Sequence, residues 1–276
     1  MVSDKRRLIY DVGAHKGDDT QVYLQMGYNV VAIEANQDLI KTMEKRFADF
    51  ILENRLVIIH CAISDKDNVE LPFFIATDTS KSSLLDYSLI YQKQVTVIGR
   101  RLSTIIQEMG VPYYCKIDIE GADIMAINSL EMEQLPATIS VETCGKPLRL
   151  LRIYPSEILE TLNQLNKLGY CKFKLIDQFT FKELTDTSFY KANASLYNRM
   201  VNKVKALRFE SGKGKFLCNY DLPQEAEVSG NFGDQLKGNW LSFNETKKLL
   251  FFHLEEYLSV SKNEQHIFWV DLHAML

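Results

Sequence analysis

Apolar and polar positions along this chain fall into blocks. Short, nearly continuous apolar runs alternate with stretches of helical periodicity through the first 177 residues. The runs RLIYDV (7–12), NVVAIE (29–34), RLVIIHCAI (55–63), PYYCKIDI (112–119), ATISVE (137–142) and YCKFKLI (170–176) read as strands. Between them the spacing predicts helices near 18–26, 37–52, 101–109, 122–130 and 155–168. Strands that are apolar on both faces and separated by helices imply an α/β fold with a parallel sheet covered on both sides. Right-handed crossovers then bring the C-terminal ends of the strands to one rim, where open α/β sheets bind ligands.

Two segments break the alternation. Residues 68–99 hold VELPFFIA and QVTVIG around the Ser-rich TDTSKSSLL, which predicts an added hairpin. Residues 178–262 read as a largely helical C-terminal insertion: an amphipathic helix near 188–208, the loop SGNFGDQLKGNW and a second helix near 243–258. A last strand, HIFWVDL (266–272), follows. The expected organisation is a core over 1–177, an insertion or lid over 178–262 that selects substrate, and a last core strand over 263–276.

Composition narrows the classes. Of the 276 residues 46% are hydrophobic and 25% charged, as in ordinary globular proteins, and the net charge of −4 argues against a nucleic-acid or membrane partner. The opening MVSDKRRLIYDVG lacks the apolar core of a secretory leader, so a cytoplasmic protein is expected. Five widely spaced cysteines without a CxxC pair read as reduced, buried thiols.

The chemistry begins in LIYDVGAHKGDDT (8–20). Asp11, Gly13 and Gly17 form the frame D-x-G-x-x-x-G, which fits neither the dinucleotide fingerprint nor a P-loop. An acid at the strand end repels a pyrophosphate and suits a cationic amine, so an amino-acid-bearing nucleoside is the better ligand. Glu34, at the end of the second apolar run, stands where a carboxylate can accept both ribose hydroxyls. Together these features are a signature of S-adenosylmethionine (SAM) binding. Ala62 and Ile63, followed by Ser64 and Asp65, place apolar groups and a polar edge where an adenine would lie. In YYCKIDIEGAD the charges of Lys116, Asp118 and Glu120 share one strand face; they are either a structural ion pair or working groups. The next run ends in Glu142 on the same rim.

In that order, DVGAHKGDDT, AIEAN, HCAISD, the SSLL turn, VTVIGRRLSTIIQEMG and above all KIDIEGAD resemble the FkbM family of SAM-dependent methyltransferases, closely over residues 7–145. The resemblance implies a class I, Rossmann-like fold with a mostly parallel seven-stranded sheet and an antiparallel last strand. It also implies cofactor contacts from Asp11, Gly13, Ala14, His15, Gly17 and Thr20, with Glu34 at the ribose, Ala62, Ile63 and Asp65 at the adenine, and Asp118 near the sulfonium. His15 departs from the Asn that many members carry, and reads as a pocket-lining residue rather than a base.

Asp118, Glu120 and Glu142 are the candidate catalytic carboxylates for an alcohol acceptor, although Glu120 would equally cap the following helix. The same acidic cluster could also bind Mg²⁺ and lower a hydroxyl's pKa, although no spacing dictates a metal site. The expected substrate is a hydroxylated small molecule or carrier-bound intermediate: a sugar, glycan or secondary metabolite. The seven Lys/Arg against one acid between Lys191 and Lys215 are a solvated helix face or a basic lid for an anionic acceptor. Trp240 stacks on a sugar or plugs a core. N-methylation and cofactor binding without catalysis stay open beside O-methylation, as does homo-oligomerisation.

Overall fold

The computed structural model describes residues 7–84, 91–142, 155–187, 228–260 and 268–276, together with 220, 222 and 226. The chain divides into two compact units, Met1–Ile139 with Leu222–Val228, and Ser140–Asp221 with Ser229–Leu276.

The first unit is built on four parallel strands, β1 (Leu8–Val12), β2 (Asn29–Glu34), β3 (Leu56–His60) and β7 (Tyr114–Ile117), in the order β7-β1-β2-β3. Burial of Ile9, Tyr10, Val12, Val30, Val31, Ala32 and Ile33 explains the continuous apolar runs: both faces are covered. The helices are α1 (Asp18–Gln25), α2 (Gln37–Arg46), α3 (Ala48–Leu52), α4 (Leu102–Met109) and α5 (Asp123–Asn128). Asn36 caps α2, its side chain accepting the Asp38 N–H at 3.0 Å. A small sheet sits in the same unit: β4 (Ala62–Ile63) runs parallel to β6 (Tyr91–Arg100), which pairs antiparallel with β5 (Val69–Ala76). This is the hairpin expected over 68–99.

Two predicted elements split. The run 55–63 divides at Cys61, because β3 ends opposite Glu34 and the next residues pair with β6 instead, Ala62 facing Gly99. Both halves are apolar, so periodicity could not register the change of sheet. The helix predicted over 37–52 breaks at Phe47, whose side chain is buried and whose backbone (φ −117°) leaves the helical region.

β8 (Thr138–Glu142) runs across the boundary between the units. In the second unit β9 (Lys172–Asp177) pairs antiparallel with β11 (Val270–Met275) and with the two-residue β10 (Lys182–Glu183). The seven strands expected are therefore present as β1, β2, β3, β7, β8, β9 and β11, with the last antiparallel to its neighbour β9 and β10 a short addition. The last strand starts later than its apolar pattern suggests, because Phe268 packs on Tyr257, ring centroids 5.2 Å apart, instead of joining the ladder. Among the described residues this unit also has the helices α6 (Pro155–Leu168) and α7 (Phe243–Val260).

The mostly parallel, Rossmann-like α/β fold anticipated from the sequence is the fold of the chain. The helix expected over 188–208 and the basic segment 191–215 lie outside the described residues. Cys61 and Cys115 are buried, and burial pushes the Cys61 thiol up to about 12. Cys171 departs from the expectation and is exposed, because it precedes β9 just after the turn at Gly169. Among the described residues no helix is long and apolar enough to cross a membrane.

Candidate active site

The C-terminal ends of β1, β2 and β7 meet at a cavity in the first unit. Val12, Gly13 and His15 form one wall, and Ile33, Glu34 and Ala35 a second. Ala62, Ile63 and Phe73 give an apolar side, while Thr79, Ser80 and Ser82 close another. Asp118, Ile119 and Glu120 complete it from the end of β7.

The glycine turn is shaped by close approach. The N–H groups of Gly13 and Ala14 both donate to the Ile33 carbonyl, at 3.0 and 3.1 Å. Gly13 has φ +83°, and a Cβ there would stand 1.9 Å from the Asp118 carbonyl oxygen. Only glycine lets the β1 and β7 ends draw together in this way. His15 also has a positive φ, +52°, which turns its N–H toward Glu34 Oε2 at 2.9 Å.

Glu34 is buried, and its second oxygen accepts the Asn36 N–H at 2.8 Å. Burial pushes its carboxyl up to about 7 against the pull of these backbone donors. The Ala35 backbone N–H is a third donor to the group, and a carboxylate's four lone-pair sites leave room for a ligand hydroxyl beside these three.

Beneath the cavity lies a buried charge network. Asp11 and Lys116 are register partners on β1 and β7. Lys116 Nζ is 3.2 Å from Asp118 Oδ2, 3.2 Å from Asp19 Oδ2 and 3.8 Å from Asp11 Oδ1. Burial opposes its charge, yet Asp118, Asp19 and Asp11 together hold its pKa well above the usual lysine value. Asp11 is wholly buried, and its Oδ2 accepts the Thr20 hydroxyl at 2.6 Å. Burial pushes its carboxyl up to about 6, offset in part by Lys116. Of the three acids only Asp118 reaches the cavity, its side chain 34% exposed.

The KIDIEGAD turn is pinned by a residue whose importance the sequence did not reveal. Asp123, in the first turn of α5, accepts the Ile119 N–H at 2.9 Å and the Gly121 N–H at 3.0 Å. It thereby fixes a backbone in which Glu120 takes φ +53°. A carboxylate two residues past an acid–glycine pair is the signal that could have found it.

Gly13, His15, Glu34, Ala62, Ile63, Asp118 and Glu120 are thus brought together at the cavity. Asp11 and Thr20 lie in the network below it, and Ala14 is buried in the turn. Gly17 opens α1 against Phe47, and Asp65 accepts the Ser64 hydroxyl at 3.3 Å on the loop after β4. Glu142 ends β8, half-buried, in the second unit. Thr79, Ser80 and Ser82 were visible only as a Ser-rich turn.

The FkbM methyltransferase domain matches residues 11–170, more than half of the 276 residues. The chain belongs to this family. Among solved structures, this FkbM methyltransferase resembles a SAM-dependent methyltransferase from Geobacter sulfurreducens in complex with S-adenosylhomocysteine, at 13% identity over 98% of this chain and 84% of that one, TM-score 0.38. It also resembles phosphoethanolamine N-methyltransferase 2 of Haemonchus contortus in complex with SAM, at 12% identity over 98% of this chain and 48% of that one, TM-score 0.39. The chain thus spans about half the length of the nematode enzyme. A third similar structure is precorrin-6y C5,15-methyltransferase from Geobacter metallireducens, at 11% identity over 62% of this chain and 67% of that one, TM-score 0.32. No curated protein matches the chain.

The cofactor that the sequence resemblance implies is SAM, and the cavity's donor set fits it. A carboxylate with room for a ligand hydroxyl stands beside Ile33, Ala62, Ile63 and Phe73, which can cover a flat ring, while Asp118 and Glu120 offer negative charge to a cation.

In the second unit Trp240 is half-buried. Its ring stands 5.5 Å from Lys174 Nζ, which is buried and donates to Glu183 Oε1 at 2.7 Å and to the Asn239 carbonyl at 2.8 Å.

Proposed function

We propose that this FkbM methyltransferase methylates a hydroxyl of a sugar, glycan or secondary metabolite, free or carrier-bound. The observation that carries the reading is Asp118, held from below by Lys116 and partly exposed to the cavity. SAM supplies a methyl already activated by its sulfonium, so the protein's part is to bind, align and deprotonate the acceptor.

In this reading Glu34 holds the ribose, and Ala62, Ile63 and Phe73 cover the adenine. Gly13 lets the cofactor's amino-acid end lie close to the backbone. Alignment for in-line attack contributes up to about 7–11 kcal/mol in favourable cases. An alcohol must also lose a proton, for which a placed carboxylate contributes roughly 10²–10⁴-fold. Lys116 Nζ, 3.2 Å from Asp118 Oδ2, orients the carboxylate for that role. Glu120 and Glu142 are the further candidate carboxylates. The insertion over 178–262 selects the acceptor, and its basic segment favours an anionic one.

A transfer assay with methyl-labelled SAM against sugars, glycans, metabolite extracts, amines and peptides tests the reading. The expected product is a methyl ether lost with Asp118→Asn. Label found only on nitrogen overturns it.

A further inference from the structure

The β5–β6 hairpin carries, just after β5, a turn that is tied to the cavity at two points. At one end His15 Nε2 and Thr79 Oγ1 are 2.8 Å apart, a side-chain hydrogen bond joining the glycine turn to the 3-10 turn Thr79–Lys81. At the other the Ser83 hydroxyl donates to the Glu120 carbonyl at 2.9 Å. The segment between is itself shaped. Asp78 Oδ1 accepts the Ser80 hydroxyl at 2.7 Å, the Ala76 N–H donates to Ser82 Oγ at 3.1 Å, and Phe74 and Ser83 exchange backbone hydrogen bonds.

His15 acts in two directions. Its N–H donates to Glu34, and its ring holds Thr79. Both residues line the cavity, as do Glu34, Ser80 and Ser82. Burial, then the neighbouring Lys16, lowers the His15 pKa, so at neutral pH the ring is uncharged and suited to a neutral hydroxyl partner.

We propose that His15 is a positioning residue for the cofactor, which through Thr79 locks the Ser-rich turn onto the cavity as it sets the Glu34 carboxylate. The inference rests on the SAM reading of this cavity. It assigns the β5–β6 hairpin a part in holding the cofactor, with the glycine turn and the Ser-rich turn acting as one wall.

The test is calorimetric titration of SAM into the full chain and four variants. Thr79→Val removes the hydroxyl while keeping the side-chain shape, and Thr79→Ser keeps the hydroxyl. His15→Asn removes the ring but tolerates a positive φ, preserving the N–H to Glu34. The fourth variant combines His15→Asn with Thr79→Val. Loss of one hydrogen bond predicts affinity weakened about three- to tenfold in Thr79→Val and in His15→Asn. The double variant should bind no more weakly than the weaker single, and Thr79→Ser should bind like the parent. Hydrogen exchange of amides 79–84, slowed by SAM in the parent, should lose that response in Thr79→Val with the melting temperature unchanged.

Parent-like affinity in Thr79→Val, losses that multiply in the double variant, or an exchange response that survives would each overturn the latch. A parent chain that gives no binding heat overturns the cofactor reading and the latch with it. The parent titration separates that outcome from failure of the latch alone.

Discussion

Gly13 and Asp118 approach so closely that a Cβ on the glycine would stand 1.9 Å from the Asp118 carbonyl oxygen. The contact joins the two sequence motifs that carry the site, DVGAHKG and KIDIEG, at the ends of neighbouring strands. The Asp118 N–H completes the junction by donating to the Val12 carbonyl at 3.0 Å. Gly13→Ala must therefore part the strand ends while adopting a φ of +83°. It should cost about 3 kcal/mol or more in denaturant unfolding and abolish SAM binding. Parent-like stability in this variant would contradict the tight junction.

Lys116 is shared by three acids, Asp11, Asp19 and Asp118. Replacing it by Met should destabilise the protein by roughly 3–5 kcal/mol at neutral pH, because the wholly buried Asp11 loses the cation beside it. Burial already raises the folded-state pKa of Asp11 to about 6; without Lys116 it rises further above its unfolded value, and the penalty exists only where Asp11 is ionised. The loss should therefore shrink as pH falls toward 5. Urea unfolding at pH 7.5 and pH 5 checks this, and an equal loss at both would speak against the network.

Glu34 gives a pH signature of its own. Its folded pKa of about 7 lies above the ordinary 4.5, so between these values the folded state holds more protons than the unfolded one. This contribution to stability is greatest below about pH 4.5 and is lost as pH rises through 7. Gln cannot titrate, so the stability of Glu34→Gln relative to the parent should climb across that window by on the order of 3 kcal/mol. SAM affinity of the parent should rise over the same range, as the carboxylate becomes a full acceptor for the ribose. A flat difference between the two proteins would place Glu34 in a more solvated setting.

Asp118→Asn keeps the size of the side chain and removes its basicity. If Asp118 takes the acceptor's proton, turnover should fall by about 10² or more while SAM affinity changes by less than about tenfold. Glu120→Gln and Glu142→Gln, measured beside it, show which carboxylate carries the step. Unchanged turnover in Asp118→Asn would remove it from that role.

The strands and most helices were legible because burial on both faces of a parallel sheet leaves continuous apolar runs, as in β1 and β2. The breaks at Cys61 and Phe47 were not, since both halves of each predicted element are equally apolar and only tertiary pairing separates them. Gly13 and Glu34 could be read from spacing. The sharing of Lys116 among Asp11, Asp19 and Asp118 could not, because it depends on the register of β1 against β7 and on the first turn of α1. Asp123 and Thr79 were hidden for a related reason: each acts on residues that the fold, rather than sequence spacing, brings within hydrogen-bonding distance.

The central claim is that the cavity at the ends of β1, β2 and β7 holds SAM through Glu34. Calorimetric titration of SAM into the parent chain and into Glu34→Gln at pH 8 tests it most directly. Saturable one-to-one binding in the parent, weakened about tenfold or more in the variant, is the predicted result. No heat of binding in the parent up to millimolar SAM, or equal affinity in both proteins, would contradict it.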